Sequence, residues 1–335
     1  MGCRRYWREF GLSAGLALLV AGCGSDPSPV TPDPPPPPPA LTISCPAAAT
    51  GVSKQGQPVT VTWTAPTTTG GQAPVTTSCS PASGSAFSVG TTNVTCRASD
   101  SASQTTSCSF SVTVSPAPQL SVTKFMAFGD SITQGVDSPP AFSGVWGPSD
   151  WPKGYPYKLN DLLKARYTDQ TLTVLNDGFY GENIADGLAR LPSEVGYYQP
   201  DVLMLLHGAN DLLGTPSEPT TTYIASRLND MIRAARQRKS DIVIFLATYP
   251  PQYAGSRGAG APYVSTLNGK IATLATASGV TLVDLYKDFA AAGTRLIGVD
   301  GLHPTEAGYA QMATSFYNAI AARFETKKVT VQAIR

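Results

Sequence analysis

Five short apolar runs recur between residues 125 and 284, and they alternate with segments of helical periodicity. Runs of this length are typical of strands that are buried on both faces of a parallel sheet. Strands that alternate with helices predict an open parallel sheet with helices packed on both of its faces, which is the α/β fold class. The predicted strands are 125–128, 172–175, 202–206, 242–247 and 281–284.

Between these runs, apolar residues recur at spacings of three and four residues, as in an amphipathic helix. Three such helices are predicted from Leu159, Leu162 and Leu163, from Ile224, Leu228, Met231 and Ile232, and from Val264, Leu267, Ile271 and Leu274. A last helix is predicted from about residue 305 to about residue 324. Thr305 is its candidate N-cap, because a threonine hydroxyl can accept a hydrogen bond from the first free backbone N–H groups.

Residues with the chemistry of a serine hydrolase stand near the ends of the predicted strands. Ser131 follows the first strand in the motif 128–133, and Asp300 precedes His303 by three residues near the end of the chain. A serine hydroxyl becomes a nucleophile when a histidine removes its proton, and a carboxylate orients that histidine. We therefore interpret Ser131, Asp300 and His303 as a candidate catalytic triad. The other roles open to them are a helix cap for Ser131 and a turn for Asp300.

Two more residues complete a family pattern with Ser131 and His303: Gly181 in the segment 180–183 and Asn210 in the segment 207–211. With these four in order, residues 122–325 resemble the SGNH (GDSL) esterase and lipase superfamily. The resemblance implies a flavodoxin-like, three-layer α/β/α sandwich with strand order 2-1-3-4-5. It also implies an oxyanion hole formed by the backbone N–H groups of Ser131 and Gly181 and the side-chain amide of Asn210. Otherwise, Gly181 is simply a loop glycine with positive φ.

The chain has only two histidines, so the choice of a general base is narrow. We interpret the second, His207, as structural, with a hydrogen bond to backbone at the end of a strand. A histidine-rich metal centre is excluded by this count, and neither a metal nor another cofactor is expected. The formal net charge of +1 gives no indication of a nucleic-acid partner.

The N-terminus has the layout of an exported bacterial lipoprotein. Arginines, an apolar stretch and small residues lead to Cys23, so residues 1–22 are predicted to be a signal peptide and Cys23 a lipid anchor. An ordinary signal peptide is the alternative. Residues 23–40 contain an unbroken run of prolines and predict a stiff polyproline II linker. These features predict attachment to a membrane through lipid, at the outer membrane or the cell surface.

Residues 41–116 alternate polar and apolar residues between turn signals, which predicts a small antiparallel β-sandwich. The segment 83–96 resembles a hyalin-repeat (HYR) module, which has an immunoglobulin-like fold, and the resemblance implies a surface glycan or protein as partner. Four cysteines of an exported segment imply two disulfides, and three connectivities are open. These cysteines are Cys45, Cys79, Cys96 and Cys108.

The substrate is predicted less sharply. Aromatic residues after the candidate nucleophile suggest an exposed substrate loop that contains Trp146, Trp151 and Tyr155, although they could instead pack the loop onto the first helix. The expected activity is hydrolysis of short-acyl esters of a small molecule, polysaccharide or lipid. Lysophospholipid hydrolysis, thioester hydrolysis and acyl transfer could use the same residues. A non-catalytic adhesin is the alternative of another class. No function is assigned to the tail, residues 326–335.

Overall fold

A computed structural model describes residues 36–136, 154–256, 258–292 and 296–326. The first unit consists of the strands β1 (Thr42–Ser44), β2 (Ala49–Ser53), β3 (Val59–Thr60), β4 (Thr67–Thr69), β5 (Thr76–Ser80), β6 (Ala86–Phe87), β7 (Gly90–Ser99) and β8 (Thr105–Pro116). Its largest sheet has the order β2-β8-β7-β5. Two of the three strand pairs in this sheet are antiparallel, as predicted, whereas β2 runs parallel to β8.

Two disulfides hold this small unit together, and they answer the pairing that the sequence left open. One joins Cys45 to Cys108, and the other joins Cys79 to Cys96 across β5 and β7. They border a small apolar core in which Trp63 contacts Phe87 and Phe110 edge-on. A core of this size buries little apolar surface, so covalent cross-links are the expected supplement to its stability.

The elements of the second unit are β9 (Gln119–Leu120), β10 (Lys124–Gly129), α1 (Ser131–Gln134), α2 (Tyr155–Arg166), β11 (Thr173–Gly178), α3 (Ile184–Tyr198), β12 (Val202–Leu206), α4 (Glu218–Arg238), β13 (Val243–Ala247), α5 (Val264–Ser278), β14 (Thr281–Val283), α6 (Leu285–Ala291), α7 (Glu306–Phe324) and β15 (Glu325–Thr326). Five of its strands form a parallel sheet of order β11-β10-β12-β13-β14, which is the predicted order 2-1-3-4-5. The strands β9 and β15 form a separate antiparallel pair.

Burial and capping explain why these segments take their observed structures. All five residues of β12 are buried, as expected for a central strand that is covered on both faces. Helix α7 begins where it was predicted to begin, because the Thr305 hydroxyl accepts a hydrogen bond from the N–H of Gly308. Ser217 and Thr220 form a reciprocal capping box at the start of α4. Helix α3, which was not predicted, begins at Ile184, directly after Asn183, whose side chain caps it.

The short pair of β9 and β15 joins the two ends of the second unit. Leu120 pairs with Glu325, and Gln119 pairs with Thr326, so both strands extend the unit beyond residues 122–325. Within the described ranges, no helix has both the length and the apolar character that a bilayer span requires.

Candidate active site

Ser131 lies just beyond the carboxyl end of β10, at the centre of the sheet. Gly129, the last residue of β10, is in register with Gly178 of β11 and Leu206 of β12, so the loops after all three strands leave from one edge. Open α/β sheets bind ligands at this edge, where the strand order reverses. Ser131 is the first residue of α1, and Asp130 is the N-cap of this helix. The hydroxyl of Ser131 is therefore not used as a helix cap.

His303 and Asp300 lie in the loop that precedes α7. The Ser131 Oγ is 2.8 Å from His303 Nε2, and His303 Nδ1 is 2.5 Å from Asp300 Oδ2. The other carboxylate oxygen of Asp300 accepts hydrogen bonds from the backbone N–H groups of Leu302 and His303. This carboxylate thus fixes both the loop and the imidazole ring. Because it binds Nδ1, it favours the tautomer in which Nε2 can accept a proton from Ser131.

Gly181 and Asn210 lie in the loops that follow β11 and β12. Gly181 has a φ of +74°, a backbone conformation that glycine adopts without strain. Asn210 lies in a short 3₁₀ segment, and its Nδ2 donates to the backbone carbonyl of Glu182 at 2.9 Å. An amide nitrogen carries two protons, so this contact occupies only one of its donors.

Two carboxylates, one of them buried, connect these loops. Asp130 is fully buried, and its Oδ2 accepts hydrogen bonds from the N–H groups of Gly208 and Ala209. Asp211 accepts from the N–H of Ile184 at the start of α3. Asp130 thus holds the loop after β10 to the loop after β12, and Asp211 holds the loop after β12 to the segment after β11.

A charged network, which sequence analysis did not find, includes Glu182, the residue directly after Gly181. The guanidinium of Arg190 donates two hydrogen bonds to the Glu182 carboxylate and one, of 2.7 Å, to Asp177. Burial would raise the pKa of Glu182, but hydrogen bonds from His207 and Arg190 outweigh it and lower the pKa to about 2. Burial raises the pKa of Asp177 to about 6, although Arg190 opposes this shift. One guanidinium thus serves two carboxylates and favours the ionised form of Glu182.

His207 is completely buried and belongs to this network rather than to the triad. Its Nε2 lies 2.8 Å from Glu182 Oε2. Because Glu182 is ionised at neutral pH, it accepts the hydrogen bond and Nε2 donates it. The structural role was expected, but the expected side-chain bond to backbone is replaced by this bond to a carboxylate. The one sequence feature that could have indicated this network was the position of Glu182 directly after Gly181.

The predicted substrate loop is only partly described by the structure. Trp146 and Trp151 lie outside the described residues. Tyr155 is fully buried as the first residue of α2, and its ring stacks on Phe316 with centroids 5.0 Å apart. The interpretation of Tyr155 as an exposed substrate contact was therefore wrong, because its ring fills the core between α2 and α7. Among the described residues, exposed aromatic side chains near the site include Phe179 and Tyr180, directly before Gly181, and Tyr253, whose backbone N–H binds Gly301.

Comparisons with known proteins show similarity to esterases. An arylesterase of Vibrio mimicus is 29% identical over 182 residues, which are 54% of this chain and 80% of the relative. Esterase TesA of Pseudomonas aeruginosa is 24% identical over 145 residues, which are 43% of this chain and 68% of that esterase. The crystal structure of Est24, a carbohydrate acetylesterase from Sinorhizobium meliloti, superposes with a TM-score of 0.50 at 16% identity and covers 60% of this chain and 99% of its own.

Family profiles match both units. The HYR domain profile matches residues 33–114. The profile of the GDSL-like lipase/acylhydrolase family matches residues 127–311, more than half of the chain, and this range contains Ser131, Gly181, Asn210 and His303. The chain therefore belongs to the GDSL-like lipase/acylhydrolase family and is a carboxylic ester hydrolase that carries an HYR domain.

Proposed function

We propose that this protein hydrolyses short-acyl esters, such as acetyl esters, with Ser131 as nucleophile, His303 as general base and Asp300 as the carboxylate that orients His303. The observation that carries the proposal is the continuous chain of hydrogen bonds from Ser131 through His303 to Asp300, at the sheet edge where ligands bind. The same chain of contacts is the arrangement of a serine nucleophile, its base and its orienting group.

In the first half of the proposed reaction, Ser131 Oγ attacks the ester carbonyl carbon while its proton passes to His303 Nε2. The carbonyl π electrons move to the oxygen, and the backbone N–H groups of Ser131 and Gly181 and the amide of Asn210 stabilise this oxyanion. The tetrahedral intermediate then breaks its bond to the alcohol oxygen, which takes the proton from His303. An acyl group remains on Ser131, and the alcohol leaves.

Water completes the proposed cycle. It attacks the acyl carbon while His303 Nε2 removes one of its protons, and the second tetrahedral intermediate expels Ser131 Oγ, which recovers that proton. The products are a carboxylic acid and the original serine. An alcohol acceptor in place of water would give acyl transfer with the same proton movements.

The burial of the reacting groups supports a small acyl group. Ser131 is only 2% exposed and His303 only 1% exposed, so little free surface surrounds the attacking oxygen. The similarity to an arylesterase also supports activity on aryl esters. Lysophospholipid hydrolysis would need room at Ser131 for a long acyl chain.

The test is hydrolysis of p-nitrophenyl esters from acetate to palmitate by protein that lacks residues 1–23, with Ser131→Ala as control. Activity on acetate and butyrate that falls steeply with chain length, and that Ser131→Ala abolishes, is the expected result. A preference for palmitate would replace the short-acyl proposal with lipid hydrolysis. Turnover that survives in Ser131→Ala would refute the role of Ser131.

We also propose that Cys23, which lies outside the described residues, carries lipid and holds the enzyme at the outer membrane or the cell surface. Small residues directly before this cysteine, after an apolar stretch, support the proposal. Cells that express the protein should incorporate an alkyne-bearing palmitate analogue into the wild type and not into Cys23→Ser. Equal labelling of the two proteins would contradict a lipid on this cysteine.

A further inference from the structure

We propose that Arg190, which lies on α3 outside the site, is a positioning residue that holds the oxyanion donors through Glu182 and His207. The inference rests on the proposed function, since it concerns the stabilisation of the oxyanion by Gly181 and Asn210. Arg190 touches neither Ser131 nor His303 in the structure, and its role is to keep one peptide segment in place.

The first step of the argument is that packing does not hold Gly181. This residue is exposed, and a Cβ atom built on it would meet no heavy atom within 4 Å. Its φ is positive, and because glycine adopts positive and negative φ about equally well, this residue does not hold the conformation by itself. The direction of its N–H group must therefore be set by its neighbours along the chain.

Glu182 is the neighbour that can do this, because it is 8% exposed and bonded through both its side chain and its backbone. Its side chain receives hydrogen bonds from Arg190 Nε, Arg190 Nη2 and His207 Nε2, all within 2.9 Å. Its backbone carbonyl accepts the Nδ2 of Asn210 at 2.9 Å. One residue thus fixes the peptide next to Gly181 and also orients the side chain of Asn210.

Arg190 is held more firmly than a surface arginine. Its guanidinium carbon lies 4.2 Å from the centre of the Phe128 ring, which is buried in β10, and its Nη1 binds Asp177 at 2.7 Å. A third contact reaches the backbone carbonyl of Asp177. The planar fork of arginine can make these contacts and the bidentate pair with Glu182 together, whereas the single ammonium of lysine cannot.

His207 completes the support from the other side. Its ring packs against helix α3 at Gly187, where a Cβ atom would lie 2.2 Å from Nε2. His207 directly precedes the loop of Asn210, so its bond to Glu182 connects the two loops that carry the donors. Loss of Arg190 should therefore disturb both donors together.

The test compares wild type, Arg190→Lys and Arg166→Lys in the full-length protein. Arg166 is the matched control, because it also forms a bidentate pair from a helix to a glutamate, with both contacts to Glu325 at 2.8 Å. Glu325 pairs with Leu120, which precedes β10, so this control lies at the opposite edge of the sheet. The readouts are kcat and KM for p-nitrophenyl acetate, the inhibition constant of a short alkylboronic acid, and hydrogen exchange of the segment 179–183.

Inhibition by the boronic acid distinguishes misplaced oxyanion donors from a general loss of protein stability. It forms a tetrahedral adduct with a serine oxygen, so its affinity depends on the oxyanion donors, as transition-state affinity does. We expect Arg190→Lys to lower kcat roughly 10- to 100-fold, because a donor misplaced by about 1 Å can cost that much. The inhibition constant should rise by a similar factor while KM stays near the wild-type value. Arg166→Lys should leave all three values near those of the wild type.

An unchanged kcat in Arg190→Lys, or an equal loss in Arg166→Lys, would overturn the inference. If Arg190→Lys does not fold, Glu182→Gln takes its place with the same expectations, since it keeps the side-chain volume. A wild type without Ser131-dependent turnover would refute the proposed function instead. In that case, hydrogen exchange tests the role of Arg190 without turnover. Faster exchange of residues 179–183 in Arg190→Lys than in wild type would support the inference, and equal exchange would overturn it.

Discussion

Replacement of Asp300 by asparagine should remove nearly all turnover while leaving the fold intact. Oδ1 of Asp300 accepts hydrogen bonds of 3.1 Å from the backbone N–H groups of Leu302 and His303, and Oδ2 contacts His303 Nδ1 at 2.5 Å. An asparagine must keep its oxygen toward the two backbone donors, because the reverse orientation would set its NH2 group against two N–H groups. Its NH2 group therefore faces Nδ1.

This orientation reverses the tautomer of His303. An NH2 group can only donate, so Nδ1 must become an acceptor and the ring proton moves to Nε2. Nε2 then faces the Ser131 hydroxyl at 2.8 Å as a donor and cannot remove its proton. In a serine protease, the equivalent change of tautomer lowers kcat by about 10⁴. At about 1.4 kcal/mol for each factor of ten, the expected rise in the activation barrier is about 5 kcal/mol.

The assay measures kcat for p-nitrophenyl acetate together with thermal unfolding of wild type, Asp300→Asn and Asp300→Ala. Asp300→Asn should unfold close to the wild-type temperature, since both backbone hydrogen bonds persist. Asp300→Ala loses those bonds as well and should unfold at a lower temperature. An Asp300→Asn protein that keeps more than about a tenth of the wild-type kcat would refute the reasoning about the tautomer.

Two further predictions concern the neighbouring groups. Asn210→Ala should lower kcat by roughly two to three orders of magnitude, because it removes one oxyanion donor. Urea unfolding should show only a small change in stability, and an Asn210→Ala enzyme with wild-type kcat would exclude Asn210 from the oxyanion hole. The pKa of Asp177 is raised to about 6 in the folded protein from an ordinary value near 3.8, so folding binds a proton between these values and wild-type stability should fall as the pH rises from about 4 to about 6. Asp177→Asn cannot bind this proton, so the free energy of unfolding of the variant, relative to wild type, should rise between pH 4 and about 6 and then stay constant. Unfolding free energies measured at pH 4, 5, 6 and 7 test this prediction. A difference between the two proteins that does not depend on pH would contradict it.

The sheet was predictable because the burial of each strand shows in the residues of that strand alone. A central parallel strand touches apolar neighbours on both faces, so β12 is an unbroken apolar run, and its predicted bounds agree with those of the structure. The start of α7 was predictable for a similar reason, since the cap at Thr305 is a contact between residues three positions apart. The pattern of α2 was less exact: Leu159 and Leu163 are buried, whereas Leu162 is 38% exposed.

The sheet edge that brings Ser131, Gly181 and Asn210 near one another could also be predicted, because the strand order implied by the family resemblance places their loops on adjacent strands. The distance from Ser131 to His303 could not be predicted, since it depends on how the loop before α7 folds back over the sheet. For Tyr155, the sequence suggested the wrong environment. An aromatic residue in a polar, Gly- and Pro-containing segment suggests exposure, but packing against Phe316 buries it.

By itself, the sequence determined the two-unit organisation, the parallel sheet and the candidates for nucleophile and base, because periodicity, turn residues and short motifs act over a few neighbouring positions. Only the tertiary structure decided which cysteines pair, that Tyr155 is buried, and that Arg190 binds Glu182, the residue after Gly181. These outcomes depend on contacts between separate elements, whose geometry arises when the helices pack on the sheet. An isolated arginine in a helix carries no local signal of the carboxylate that it will meet.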